Sequence, residues 1–146
     1  MYIGRDDSIH RISRAALTET IIGCAFPVYN HMGFGLSESV FENCMMIEID
    51  PNGLHAVAQQ PVNAKYEGVV VGDLVADIVV HDTIIVELKS VRRLSQAHEA
   101  QLVNCLVATG KPVGLLLNFG TENIEAKKTV GILSPSCKSH YPVQAG

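Results

Sequence analysis

The chain reads as a single α/β domain. Apolar residues recur at helical spacing before residue 50 and again after residue 95, and segments rich in β-branched residues fill the stretch between. A short wholly apolar run, 113–117, follows the last helical segment and suits a buried strand. A length of 146 residues fits one domain. With 47% hydrophobic and 18% charged residues, the composition builds a core and is unlike that of a disordered chain. Trp is absent and aromatics make up 5%, so Val, Leu, Ile, Ala and Met must fill the interior.

Taken in order, residues 1–14 are polar, mixed in charge and read as a loose arm. Ile21, Ile22, Ala25 and Val28 lie on one face of a helix expected from Thr18, its N-cap, to Asn30. Pro27 removes a donor and is expected to kink or end that helix near Cys24. Gly33 and Gly35 mark a loop. A second helix is expected from Ser37 to Ile49, stopped by Pro51-Asn52-Gly53. Strands are expected at 54–62, 66–71, 74–80 and 84–88, with His81-Asp82-Thr83 as the turn joining the last two. A third helix opens at Ser95 or Gln96 and runs to Thr109, where Gly110 ends it. Residues 134–146 carry Pro and Ser without periodicity and read as a tail, which leaves 15–133 as the domain.

Several function classes are set aside by composition. The N-terminal segment lacks the apolar stretch of a signal peptide, and the most apolar run, 69–80, is interrupted by Gly72, Asp73 and Asp77. Cys24, Cys44, Cys105 and Cys137 have no CxxC spacing and read as reduced thiols of a cytoplasmic protein. The 11 Lys and Arg against 15 Asp and Glu argue against a broad phosphate-gripping face, so any nucleic-acid contact must be local.

The chemistry concentrates in the hairpin. With 81–83 as its loop, Val80 pairs with Ile84 and Asp77 falls opposite Glu87; Lys89 shares the face of Glu87 because side chains alternate. Two facing carboxylates in strands of Val and Ile repel each other and resist desolvation. A divalent cation such as Mg²⁺ relieves both problems, and Lys89 can then stabilise charge developing on a phosphate. A two-residue turn would instead send the carboxylates to opposite faces. A salt-bridged sheet surface would need no metal. On the third helix His98, Gln101 and Cys105 share a face.

Ordered segments across residues 15–130 carry a resemblance. Gly35-Leu36-Ser37-Glu38-Ser39-Val40-Phe41 resembles the signature of the GxxExxY family, a branch of the PD-(D/E)XK nuclease superfamily. Leu17-Thr18-Glu19, Ala76-Asp77-Ile78-Val79-Val80, Ile85-Val86-Glu87-Leu88-Lys89, His98-Glu99-Ala100-Gln101-Leu102 and the segment 113–120 match in the same order. The resemblance implies a three-layer α/β/α restriction-endonuclease-like fold with a central mixed sheet. It implies Asp77 and Glu87 as ligands of Mg²⁺ or Mn²⁺, joined by Glu38, with Lys89 as the catalytic lysine and Gln101 shaping the site. The implied partner is DNA, as single strands or ends, and the implied activity is phosphodiester hydrolysis. Phe41 and Cys105 stand where the family carries tyrosines, and Pro27 interrupts a helix that normally reads through. Those departures, with the acidic charge, keep a second function open: a nuclease-fold module serving assembly, as a homo-oligomer or with a partner. A hydrolase of small nucleotides is a third.

Overall fold

The structure, a computed structural model, describes residues 13–131. The expected tail, and the expected arm apart from its last two residues, lie outside them. Helix α1 spans Arg14–Met32. Its cap is Ser13, whose Oγ accepts the Ala16 N–H at 3.0 Å. Thr18, expected as the cap, is instead buried inside the helix, its hydroxyl donating to the Ala15 carbonyl at 2.8 Å. Pro27 does not end the helix either. Leu17, Ile21, Cys24, Ala25 and Val28 form a buried stripe on both sides of the proline. Packing along that stripe outweighs one missing hydrogen bond.

Helix α2 spans Glu38–Ile49 and buries Phe41, Met45 and Ile49, one residue per turn. A short 3₁₀ turn, Asp50–Asn52, closes it as the Pro-Asn-Gly sequence requires, with Gly53 left-handed at φ 76°. The strands expected between 54 and 80 merge into two long ones, β1 (Ala56–Tyr66) and β2 (Val69–Val80). Their tight turn is Glu67-Gly68, at φ 52° and 80°, the left-handed pair that two-residue hairpins need. Strand β3 is Ile84–Lys89, helix α3 is Gln96–Thr109 and strand β4 is Val113–Phe119. Strand β5, Ile124–Val130, was not expected. It is an edge strand with two lysines and a glutamate, and a half-solvated edge gives no apolar run to read.

The five strands are hydrogen-bonded in chain order, β1 to β5. All neighbours are antiparallel except β3 and β4, which are parallel and joined through α3. Helices α1 and α2 cover one face, packing against Ile78, Val80, Ile84, Val86, Leu88, Leu115, Leu117 and Phe119. Helix α3 covers the other, with Leu102 and Leu106 against Val79, Ile85 and Leu116. This is the mixed-sheet α/β/α architecture expected, and strand β4, buried at every residue, is its spine. A Cβ on Gly114 of β4 would meet Leu102 side-chain atoms at 2.8–3.0 Å, so α3 lies close on the sheet there. On the other face the Phe41 and Phe119 rings stack, centroids 4.2 Å apart and 5° from parallel.

The alternation of β1 and β2 slips midway, short of the bulge that the ladder also carries between Ala64 and Lys65. Ala56 and Ile78 pack toward α1 and α2, whereas Val62 and Ala76 pack toward α3, although all four positions are even. The slip falls at Gln59 and Asp77. The ladder is paired on either side, Ala58 with Ile78 and Gln60 with Ala76, and Gln59 stands at φ 51°. Beyond this break the β1–β2 ribbon turns its even residues to α3.

Phe41 is fully buried, so a phenolic hydroxyl placed there meets no solvent. Phe41→Tyr is expected to lower stability by about 1–3 kcal/mol in urea denaturation, with an unchanged far-UV circular dichroism spectrum.

Candidate active site

The β2–β3 hairpin has the expected register: Val80 pairs with Ile84, Val79 with Ile85 and Ile78 with Val86. Thr83 N–H closes the turn on the Val80 carbonyl at 3.0 Å, across His81 and Asp82 at φ 54° and 55°. His and Asp are among the residues that tolerate this conformation best. Continuing the register would set Asp77 against Glu87 as a ladder pair, yet the ladder stops one pair short. Asp77 instead turns its own carboxylate to the partner strand, Oδ2 accepting the Leu88 N–H at 2.8 Å. The side chain replaces a backbone carbonyl, and the strands part at this point.

Glu87 stays beside it, half-buried. Burial pushes its carboxyl up from the ordinary 4.5 to about 8, the Asp77 charge and the hydrogen bond between the two side chains add to the rise, and Lys89 offsets part of it. Without a counter-charge the pair therefore holds a proton at neutral pH. Burial, followed by the charge of Glu87, also pushes the neighbouring Cys105 thiol up to about 11. Cys105 is thus an un-ionised group here.

Glu87 and Lys89 open into a cavity of about 440 Å³ between α3 and the displaced ribbon. His98, Gln101, Asn104 and Cys105 line its helix side, and Ala64, Leu74 and Val75 its ribbon side. Of the expected site residues, Glu87, Lys89 and Gln101 thus meet in one space, and Asp77 stands beside Glu87 without lining it. Glu38 does not join them; it is exposed in the first turn of α2 and does not line the cavity. The acid of α2 that reaches toward the break is Glu42, one turn later, accepting the Gln59 Nε2–H at 2.6 Å. Gln59 is the residue across the ribbon from Asp77. The sequence offered only the i, i+4 spacing of Glu38 and Glu42 as a clue.

Residues 15–130 match the PD-(D/E)XK nuclease superfamily. The chain belongs to that superfamily. No curated protein matches it. Among solved structures, the crystal structure of SSO0001 is similar at 15% identity and a TM-score of 0.45, over 69% of this chain. The chain spans 56% of that protein's length.

The donor set suits the ion that PD-(D/E)XK nucleases typically use. Asp77 and Glu87 offer hard oxygen ligands and an excess negative charge that a divalent cation neutralises; Mg²⁺ is commonly held by one or two carboxylates with substrate phosphate completing the shell. Among the described residues no group of three His, Cys, Asp or Glu stands close enough to hold a metal, consistent with Glu38 lying apart.

A second network holds the chain that leaves Lys89. Asn118, fully buried on β4 and laddered to Lys89, accepts the Val91 N–H at 2.9 Å and donates to the Val91 carbonyl at 2.9 Å. It also donates to Glu125 Oε1 at 2.8 Å, which in turn accepts the Leu94 N–H at 2.9 Å. These bonds, Asn118 foremost, lower the Glu125 carboxyl below its ordinary range. The turn between β3 and α3 is thereby pinned at both ends by two side chains that spacing alone did not single out.

Two outcomes follow from these bonds. Glu87 titrates near 8 in the folded chain and near 4.5 when unfolded, so the unfolded state releases its proton first as pH rises. The metal-free protein therefore loses stability between about pH 4.5 and 8, by at most roughly 1.4 kcal/mol per unit, and the loss levels off above. Scanning calorimetry across this range should show the slope in the wild type and its absence in Glu87→Gln. Asn118→Ala leaves the Val91 N–H and carbonyl without their side-chain partner and should lower stability by about 1–3 kcal/mol, with faster amide exchange at Val91 and Leu94.

Proposed function

We propose that this chain is a nuclease of the GxxExxY branch that hydrolyses DNA phosphodiester bonds, with Mg²⁺ or Mn²⁺ held by Asp77 and Glu87. The observation that supports this reading best is the carboxylate pair itself. Asp77 is fixed by the Leu88 N–H, and burial beside the Asp77 charge raises the Glu87 carboxyl to about 8, a rise that Lys89 offsets only in part. When bound, the ion supplies further positive charge and polarises a phosphoryl oxygen. Asp77 cannot swing away without losing its bond to Leu88, so the donor geometry is set before substrate arrives. Lys89, two residues past Glu87 on the same strand face, directs its ammonium at the phosphate and stabilises the charge gained as water attacks phosphorus and the ester oxygen departs. Gln101 faces the same space from α3 and can orient the water or a phosphate oxygen through its amide.

A second reading, an assembly module, is favoured by one observation: Tyr66, Val69, Val71 and Val75 stand 56–69% exposed along the β1–β2 ribbon. Light scattering on wild type and Val71→Lys addresses it; a defined oligomer lost in the variant, with metal binding absent, would replace the nuclease reading.

Mn²⁺ titration calorimetry should show binding in the wild type and none in Asp77→Asn/Glu87→Gln. Lys89→Ala should bind Mn²⁺, melt within a few degrees of wild type, and cleave DNA on the order of 100-fold more slowly or worse. Undiminished cleavage by Lys89→Ala would remove the lysine from the mechanism. Absence of Mn²⁺ binding, with and without a phosphodiester oligonucleotide, would remove the reading altogether.

A further inference from the structure

The cavity beside Glu87 and Lys89 is larger and more apolar than metal chemistry on a phosphate requires. Its volume of about 440 Å³ lies in the range of small organic-ligand pockets. Leu74, Val75, Leu102 and Leu116 give it flat aliphatic walls, and Gln101 and Asn104 bring two carboxamides to them. Each carboxamide has both donors and an acceptor, so the pair can satisfy the edge of a heterocycle in more than one orientation. His98 adds a directed donor. Its Nδ1 accepts the Ser95 N–H at 3.1 Å within the capping box that opens α3, so the neutral ring carries its proton on Nε2. His98 also lines the cavity.

We propose that this cavity receives the base of one unpaired nucleotide of a DNA strand, whose phosphate lies toward Glu87 and Lys89. The proposal rests on the nuclease reading and adds the place where a base of the substrate is held. A base inside a duplex cannot enter a side cavity without leaving its stack, whereas an unpaired base enters at little cost. The charge of the chain points the same way. With 11 Lys and Arg against 15 Asp and Glu, grip on a phosphate backbone is weak, so affinity must come from burying the base. Single strands are therefore bound and duplexes rejected. The walls lack an aromatic platform, so the base is held by aliphatic contact above and below and by carboxamides at its edge. That arrangement tolerates any of the four bases.

The experiment measures fluorescence anisotropy in Ca²⁺ with three labelled probes: an eight-nucleotide deoxythymidylate strand, a blunt duplex, and an eight-unit abasic strand of equal charge. The single strand should bind about tenfold or more tightly than the abasic strand, with the duplex no better than the abasic strand. Ala108→Phe, which fills the cavity from α3, should reduce the single strand to the abasic level while Mn²⁺ binding by calorimetry stays at the wild-type value. Equal affinity for the abasic and the base-bearing strand, or no binding of either, would overturn the proposal, as would an Ala108→Phe variant that keeps the preference. Should Ala108→Phe misfold, Leu74→Trp fills the same space from the ribbon and decides the matter. Loss of Mn²⁺ binding in the wild type itself would mark failure of the nuclease reading instead, so the two failures are separable.

Discussion

The molecule turns on a side chain that interrupts its own sheet. Asp77 gives up its place in the β2–β3 ladder and takes the Leu88 N–H on its carboxylate. At the same level the β1–β2 ladder misses its Gln59 pair. Two consequences follow from this local change. The strands part beside Glu87, leaving two acids together at the opening. The outer ribbon changes phase and rolls toward α3, which creates the cavity into which Glu87 and Lys89 open. The site and its neighbouring space thus have one structural cause.

Such an arrangement works against folding. A buried acid next to another acid and a broken ladder are each unfavourable, and the surrounding packing must offset them. Both faces of the sheet supply it. Ile78, Val80, Ile84, Val86 and Leu88 are all within 1% of complete burial, immediately beside the break. Strand β4 is buried throughout and carries Asn118, which ties down the turn after Lys89. Close packing thus lies next to the least favourable electrostatics and offsets it.

How much of this was legible in the sequence depended on whether the deciding interaction was local. The β2–β3 register was legible because β-branched runs flank a turn of fixed length. The α3 termini were legible because Ser95 and Gly110 cap by their own chemistry. Glu87 and Lys89 were placed on one face by period two alone. Other features escaped because packing, solvation or partners distant in sequence decide them. Thr18 gave way to Ser13 as cap, and Pro27 was carried through, because the buried stripe of α1 sets the helix. Strand β5 was hidden by its solvated face. The bond from Gln59 to Glu42 escaped because no spacing rule links residues 42 and 59.

The two positions that lack phenols prove unlike each other. Phe41 is enclosed and stacked on Phe119, and Tyr29 already brings a hydroxyl to the same corner, donating to the Gly120 carbonyl at 2.7 Å. A phenol at residue 41 would add a buried polar group without adding a contact the site uses. Cys105 differs, because it stands on the cavity wall beside Glu87. A small thiol pushed up to about 11 contributes neither a charge nor a strong donor at neutral pH. What it contributes is room. A ring projecting from that turn of α3 would occupy the space that Leu74, Leu102 and Leu116 now enclose, and Glu87 would face an aromatic edge rather than an open pocket. The small side chain that brings no strong hydrogen-bond donor to the carboxylates leaves open the volume next to them.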